Sequence, residues 1–547
     1  MSCWSFIGGR SMVRFPGLCF WFAFAVQLVA GAATPRWADV QTDLDTYATK
    51  AQADWQVPGF SMAIYEQGQV TYINKGVQDN RGTTPVTEDT VFCIMSCSKV
   101  ITVLTVHRLA EEGRLSLEDK VVDFFPWFAL SDPAETQKVK VKHLLAHCIG
   151  LPPFSGDTLW YLDDSVREIF KKLSTVPLKS PVGERYGYQN MFVGLAGLLV
   201  EKVTGQPLND VVHKLIFEPL DMSSSSYGPL PSGFLAWMKK LFHKDPRYDE
   251  KRRAVGHVHL DGKIQPTQSA EQYVLQGTSG VNSSTRDYVK LLACLANGGV
   301  IQFGPHKGQR LIAEKTWKWI SSAQVKIPHV RSTNVQFPVR RILDGSFYYG
   351  NGMFGMDYGT KEQSHRVLYH MGSGTGWRSS WSVVPELQLG MVVFSNLGSV
   401  NTSLFPEVVM FRTLDTLLDQ EPFPWHDDFY RNHLHYQQSV NEHFEAYVLG
   451  APLDSEDIVG HYEHSFYGPA DISFSKGRLW LSLRKRKVAL EHLGGAVYKF
   501  RSHDLIQHYG DDEEGTLVLR QSKKKHSIKG FTIGLLREGE GIFKKLS

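Results

Sequence analysis

Ser96 and Lys99 stand three residues apart in the run Phe92-Cys-Ile-Met-Ser-Cys-Ser-Lys99. A serine hydroxyl is a weak nucleophile at neutral pH and needs a base beside it. On a helix, positions i and i+3 share a face, which brings the Lys99 amine within reach of Ser96 Oγ. At the start of a buried helix, desolvation and the positive helix end both disfavour the ammonium. A neutral Lys99 then takes the Ser96 proton, and the Ser96 backbone N–H sits where an oxyanion can be bound. Taken alone, the same spacing equally describes an N-cap serine followed by a solvated lysine. A second polar cluster, Arg185-Tyr-Gly-Tyr188-Gln-Asn190, immediately precedes a helical stretch. Tyr188 is a candidate second proton carrier there, and Asn190 an amide that holds a substrate carbonyl. The plainer alternative is a packed aromatic and a helix N-cap. A third cluster, Tyr369-His370-Met-Gly372-Ser373-Gly-Thr-Gly376-Trp377, closes a predicted strand. A glycine after a hydrogen-bonding side chain lets a substrate lie against the strand backbone; a Gly-rich turn is the rival reading.

These clusters need elements to carry them. Gly59–Tyr65 and Gln69–Ile73 are short alternating runs split by Gln67-Gly68, a hairpin signal. A helical pattern runs from Ser96 through Val100, Ile101, Leu104 and Leu109 to Gly113, a natural C-cap. Further helical stretches cover Lys140–Ala146, Gln189–Thr204 and Thr285–Ala296. Two apolar runs, Ser379–Val384 and Leu389–Phe394, read as another hairpin. Strands at both ends with helices between predict an α/β (α+β) unit around an antiparallel sheet that both ends of the segment build together. After Trp425 the composition turns polar and aromatic with helical spacing, read as a linker helix. From about Asp457 short strands and turns follow, among them Arg478–Leu483, Val497–Phe500, Gly515–Leu519 and Gly530–Ile533, predicting a small all-β barrel.

The chain has 547 residues, 42% hydrophobic and 21% charged, with a formal net charge of +3. That is a globular composition of roughly two to four domains. The charge is too small for this length to point to nucleic acid or a polybasic membrane contact. No Gly-rich phosphate loop and no zinc-type cysteine pairing occurs, so neither cofactor nor metal is expected. His257-Val-His259 and His433-Leu-His435 have metal-pair spacing but no third ligand to match. Arg10 and Arg14, the apolar core Leu18–Val26 and the Ala30/Ala32 small-residue site have the layout of a signal peptide over residues 1–33. A secreted, extracellular protein is therefore expected, periplasmic in a bacterial host, without stable membrane insertion after cleavage. Asn282 and Asn401 sit in sequons and are glycosylation candidates. Cys93, Cys97, Cys148 and Cys294 remain after the signal, as disulfides or as small buried thiols.

In this order, the Ser-x-x-Lys, Tyr188-Gln-Asn190 and His370-Met-Gly372 stretches resemble the class C β-lactamase and D-alanyl-D-alanine carboxypeptidase-like family of penicillin-binding proteins. The resemblance covers roughly residues 40 to 420 and extends to Leu109–Asp119, Leu144–Pro152 and Gly277–Asp287. It implies a sheet flanked by helices with a helical subdomain. It also implies an acyl-enzyme on Ser96, with Lys99 and Tyr188 sharing the proton work and Tyr188 activating the deacylating water. Asn190 would orient substrate, and His370 would take the place of the family's lysine. Gly372 and Ser373 would line the substrate, with the Ser373 and Ser96 N–H groups forming the oxyanion hole. Cys97, Gln189 and Cys148-Ile149 depart from the family pattern and put substrate identity in doubt. The tail looks like an appended lipocalin-like barrel.

The expected organisation is thus a signal peptide (1–33), a serine hydrolase domain (37–420), a helical linker (421–456) and a lipocalin-like barrel (457–547). The expected function is hydrolysis of a small peptide, ester or lactam. The alternative is an extracellular matrix or binding protein that keeps the fold without turnover. It is motivated by the added barrel and by the basic turns Arg484–Lys487 and Lys523–Lys525.

Overall fold

The computed structural model describes residues 35–162, 164–229, 249–260, 262–267, 275–327, 341–398, 403–445, 451, 453–506, 514–522, 527–536 and 541–546. The chain divides into Met1–Asp43, whose described part is helical, and Leu44–Ser547, to which everything below refers. The expected signal peptide, Asn401 and Lys523–Lys525 lie outside the described residues. Among the described residues no helix is long and apolar enough to cross a membrane.

An eight-stranded antiparallel sheet forms the centre. Its strands are β1 (Gly59–Glu66), β2 (Gln69–Gly76), β3 (Val325–Lys326), β4 (Tyr348–Tyr349), β5 (Phe354–Gly359), β6 (Ser364–Gly374), β7 (Trp377–Val384) and β8 (Leu389–Ser395), in the order β2-β1-β8-β7-β6-β5-β4-β3. β1 pairs with β8, Ala63 opposite Val392, so the first strand is completed by the last. β1, β7 and β8 are buried almost throughout because helices cover both faces. The strand period of two sorts the side chains. On one face Ser61 Oγ lies 2.6 Å from Thr285 Oγ1. On the same face Asn297 Nδ2 donates to Tyr65 OH, which ties β1 to the helix Thr285–Ala296. On the other face the Phe60 ring packs on Phe405 of the helix Phe405–Leu417.

The helix that carries Lys99, α1 (Lys99–Glu111), is buried on all sides along Lys99–His107, as a central helix must be. It starts later than predicted, because Met95–Ser98 is a 3₁₀ turn. α2 (Asp157–Tyr161) and α3 (Asn190–Thr204) complete the surroundings of the site. α3 packs tightly against Gln276–Ser279 through two glycines. A Cβ on Gly197 would stand 3.0 Å from the Gly277 Cα, so only a pair of glycines brings these backbones together.

Residues 460–545 form a closed antiparallel barrel of eight strands, β9 (Gly460–His464), β10 (Gly468–Ser475), β11 (Arg478–Leu483), β12 (Arg486–Gly494), β13 (Val497–Arg501), β14 (Glu514–Gln521), β15 (Ile528–Ile533) and β16 (Ile542–Lys545). Tyr462 opposite Lys545 closes it. Three of these strands, β9, β12 and β16, were not expected from the sequence, because their polar outward residues hide the alternation. The helix Trp425–Glu445 precedes the barrel, and its first turns are anchored: Trp425 Nε1 donates to Asp415 Oδ2 at 2.7 Å. The barrel leans on α2, where Tyr467 OH lies 2.8 Å from Thr158 Oγ1 in a buried contact. Arg484, expected as part of a basic turn, pairs instead with Asp164.

Between the sheet and the helix Phe405–Leu417, Arg378 Nε donates to Glu407 Oε1 at 2.9 Å, with both side chains essentially sealed from water. Removing one partner strands a buried charge, which costs about 3–5 kcal/mol. Glu407→Ala is therefore expected to lower the unfolding free energy, read from urea titration at unchanged m value, by that amount. A double change, Arg378→Met with Glu407→Leu, should recover much of it.

Candidate active site

Every residue from Val91 to His107 is buried except Ser96, which is half-buried and reaches the surface. The backbone is forced into this shape. Met95 has φ +50, a left-handed conformation that a bulky residue adopts at a cost of about 1–3 kcal/mol. The surrounding structure holds the turn on several sides. Ile94 N–H donates to Val281 O at 3.0 Å, Val281 N–H to Ser98 Oγ at 3.0 Å, and Tyr288 OH to Cys97 O at 2.9 Å. A 3₁₀ turn eclipses residues i and i+3. Ser96 and Lys99 are aligned accordingly, with Lys99 Nζ 2.8 Å from Ser96 Oγ.

Lys99 is fully buried. Its amine meets three oxygens: Ser96 Oγ, Asn190 Oδ1 at 2.9 Å and Thr278 O at 3.3 Å. A neutral amine has two N–H bonds and one lone pair. Donating to Asn190 Oδ1 and Thr278 O leaves the lone pair directed at the Ser96 hydroxyl. Burial lowers the Lys99 pKa to about 7, against the pull of the Asp157 carboxylate, which favours the ammonium.

Tyr188-Gln-Asn190 is gripped by the segment 152–157. Phe154 N–H donates to Tyr188 O at 2.7 Å, and Gln189 Nε2 donates to Pro152 O at 2.5 Å. Asn190 Nδ2 donates to Asp157 Oδ2 at 2.7 Å. Asn190 was expected to face a substrate carbonyl. In the structure its amide links Asp157 to Lys99: the carbonyl oxygen accepts from the lysine amine and one of the two N–H bonds is donated to the carboxylate. The Tyr188 hydroxyl is hydrogen-bonded to Ser96, its ring lies under the Lys99 amine at 5.0 Å, and burial pushes the phenol well above its ordinary pKa. Tyr188 is thus protonated at neutral pH. His147, quoted in the sequence only as part of a stretch, packs on the Tyr188 ring at 4.3 Å and accepts the Gln189 N–H at Nδ1.

On β6, Gly372 abuts the nucleophile turn. A Cβ there would overlap Ser379 Oγ and Ile94 O and come within 3.0 Å of Ser96 N. The Gly372–Ser373 backbone therefore runs beside the Ser96 N–H. Ser373 turns its side chain away, its Oγ accepting from Arg378 Nη1 at 2.9 Å. His370 shares the Gly372 face and lies 6.1 Å, ring to ring, from Tyr188. It was expected in the place of a lysine. The structure gives it no charge: Nδ1–H donates to Met371 O at 2.6 Å and Nε2 accepts from Tyr349 OH at 3.2 Å. Burial and the nearby Lys99 lower its pKa to about 3.

Cys97 lies behind the nucleophile, 3.1 Å from Ser379 Oγ, with burial raising its thiol to about 12. Among the described residues it is one of four buried free thiols, with Cys93, Cys148 and Cys294. The expectation for Asn282 is corrected: the residue is 4% exposed and its Nδ2 donates to Gly228 O at 2.9 Å, so the folded chain has no room for a glycan there. His257 is likewise engaged, with Nε2 accepting from Asn80 N–H and Nδ1 beside Asn396 O. No metal-ligand cluster occurs among the described residues. Sequence reasoning missed Asp157, Thr278 and Tyr349 as parts of the site. Thr278 lies in a stretch already singled out, whereas Asp157 and Tyr349 carry no local signal.

The family model described as Beta-lactamase matches residues 44–405. Protein flp of Staphylococcus aureus (strain COL) is 25% identical over 367 residues, 66% of this chain and 64% of flp, so the chain spans less than two thirds of that relative. The octameric penicillin-binding protein homologue from Pyrococcus abyssi superposes with a TM-score of 0.56 at 20% identity, over 92% of this chain and all of that one. A class C β-lactamase from Rhodobacter sphaeroides gives 0.51 at 18% identity, over 69% and 99%. With the matched model spanning well over half its length, the chain belongs to the Beta-lactamase family of serine-hydrolase fold.

Proposed function

We propose that this chain is an acyl-transfer hydrolase in which Ser96 is the nucleophile and the free amine of Lys99 its base. The observation that carries this reading is the 2.8 Å contact between Ser96 Oγ and a buried amine whose other two positions are occupied by acceptors. As Ser96 Oγ bonds to a substrate carbonyl carbon, its proton moves to Lys99. The carbonyl oxygen takes the negative charge and is met by the N–H groups of Ser96 and Ser373. When the bond to the leaving group breaks, the proton returns through the Tyr188 hydroxyl to the departing atom. A water then bonds to the acyl carbon, its proton passing by way of Tyr188 and Lys99 to Ser96 Oγ as the acyl–Ser96 bond breaks, which releases the acid and restores the serine hydroxyl. Tyr188 acts as a protonated relay and Lys99 as the base. His370 holds the floor beside Tyr188 without titrating near neutrality. The substrate in this reading is a small ester, peptide or lactam. The signal-like succession of residues 10–34 supports export, and the closed barrel of residues 460–545 supports a lipocalin-like domain.

Ser96→Ala is expected to abolish labelling by a fluorophosphonate probe and turnover of activated esters, each compared with wild type at equal folded concentration. Labelling that persists in the variant would refute the assignment of the nucleophile.

The pH dependence follows from the Lys99 environment. The working form is the free amine, so kcat/KM should fall as pH drops below about 7, where Lys99 takes up a proton. Asp157→Asn removes an anion that stabilises the ammonium but leaves an amide oxygen for Asn190. The acid limb should then move to lower pH, read from the pH profile of ester hydrolysis. A shift to higher pH would contradict the proposed electrostatics.

A further inference from the structure

Phe154 stands out beside Tyr188, the hydrogen-bond partner of the proposed nucleophile. It is a large apolar side chain that is 37% exposed, and its ring packs 5.3 Å from that of Tyr188. Its φ is +62, a conformation disfavoured for a bulky side chain. Such a residue persists where neighbours over-determine it, and these outliers cluster at functional sites. The neighbours are visible here. Pro152 and Pro153 stiffen the approach, Phe154 N–H is held by Tyr188 O, and Asp157 N–H closes the turn onto Phe154 O at 3.1 Å. An exposed aromatic on so rigid a mount loses little freedom when something packs on it.

The opposite side of the site bears on charge. The third-motif side chain, His370, is neutral with both ring nitrogens engaged. Arg378, the cation on the neighbouring strand, points to the other face of the sheet and is paired with Glu407. A substrate carboxylate therefore receives no counter-charge from either residue. Phe354 and Tyr349 pack around the His370 ring and make that floor aromatic.

We propose that Phe154 is a specificity-determining residue, the wall of a subsite for an apolar group flanking the reacting carbonyl, and that the preferred substrates are uncharged esters or amides of apolar acids. This rests on the reading of Ser96 as nucleophile. Tyr188, which Phe154 flanks, carries the Ser96 contact, so the exposed Phe154 ring is one side chain removed from the reacting hydroxyl, where a group flanking the substrate carbonyl can meet it. Gly at this position would remove both the ring and the strained φ, since glycine adopts it freely.

The test uses the purified full chain with p-nitrophenyl esters from acetyl to octanoyl and phenylacetyl. A second set pairs an ester bearing a free carboxylate with its methyl-capped twin. Wild type should favour the larger apolar acyl groups and the capped twin. In Phe154→Ala the ratio of kcat/KM for long over short esters should fall about tenfold or more, the size of a lost apolar contact in a pocket. Phe154→Leu should keep most of that ratio. Phe154→Gly should lose it with a Tm at least equal to wild type, which separates selectivity from folding. An equal fall for all esters, or a preference for the carboxylate twin, would overturn the proposal. Fluorophosphonate labelling of Ser96 in wild type and each variant separates the two readings. Labelling with unchanged size selectivity sinks the subsite alone, and no labelling of wild type sinks the nucleophile.

Discussion

An amine buried as completely as that of Lys99 must have each of its hydrogen-bonding positions met by protein, because no water is there to do it. That requirement recruits elements far apart in the chain. Asn190 comes from the first turn of α3, Thr278 O from a short helical turn that reaches α3 through the Gly197–Gly277 contact, and Ser96 from the 3₁₀ turn before α1. Asp157, one residue into α2, reaches the same amine through the Asn190 amide. The balance is between desolvation, which favours the free base, and one carboxylate, which opposes it. The outcome near neutrality suits a base that has to take a proton and give it back.

The backbone geometry follows from the same constraint. Ser96 is the sole residue of Val91–His107 that reaches solvent, and it does so because Met95 accepts a left-handed turn. β6 closes on that turn at Gly372, where any side chain would collide with Ile94 or Ser379. The approach places two peptide groups beside the hydroxyl. Cys97, a departure from the family pattern next to the nucleophile, fills the space behind it as a protonated thiol.

The segment 152–158 joins these parts to the rest of the molecule. Its backbone and side chains hold Tyr188, Gln189 and Asn190 one after another, and Thr158 at its far end meets Tyr467 of the barrel. The barrel is therefore packed against the short helix that carries the carboxylate opposing Lys99. It is not a separate appendage on a free tether, and the anchored start of the helix Trp425–Glu445 fits the same arrangement.

Residues close in sequence could be read directly. The Ser96–Lys99 spacing, the two hairpins, the long helices and the alternation in several barrel strands are local patterns of period three to four or two. Such patterns follow from backbone geometry that each stretch carries with it. What depends on groups meeting across the fold could not be read. Asp157 and Tyr349 have no local signature. Asn190 reads as a substrate contact or a helix cap, and only the fold shows its amide linking Asp157 to Lys99. His370 reads as a possible cation until Tyr349 and the Met371 carbonyl take its two nitrogens, and Asn282 reads as a sequon until β-pairing buries it. The sequence by itself determined which groups are available and which neighbours they have along the chain. Only the tertiary structure decided their charge and exposure, because both depend on how much water the surrounding elements exclude.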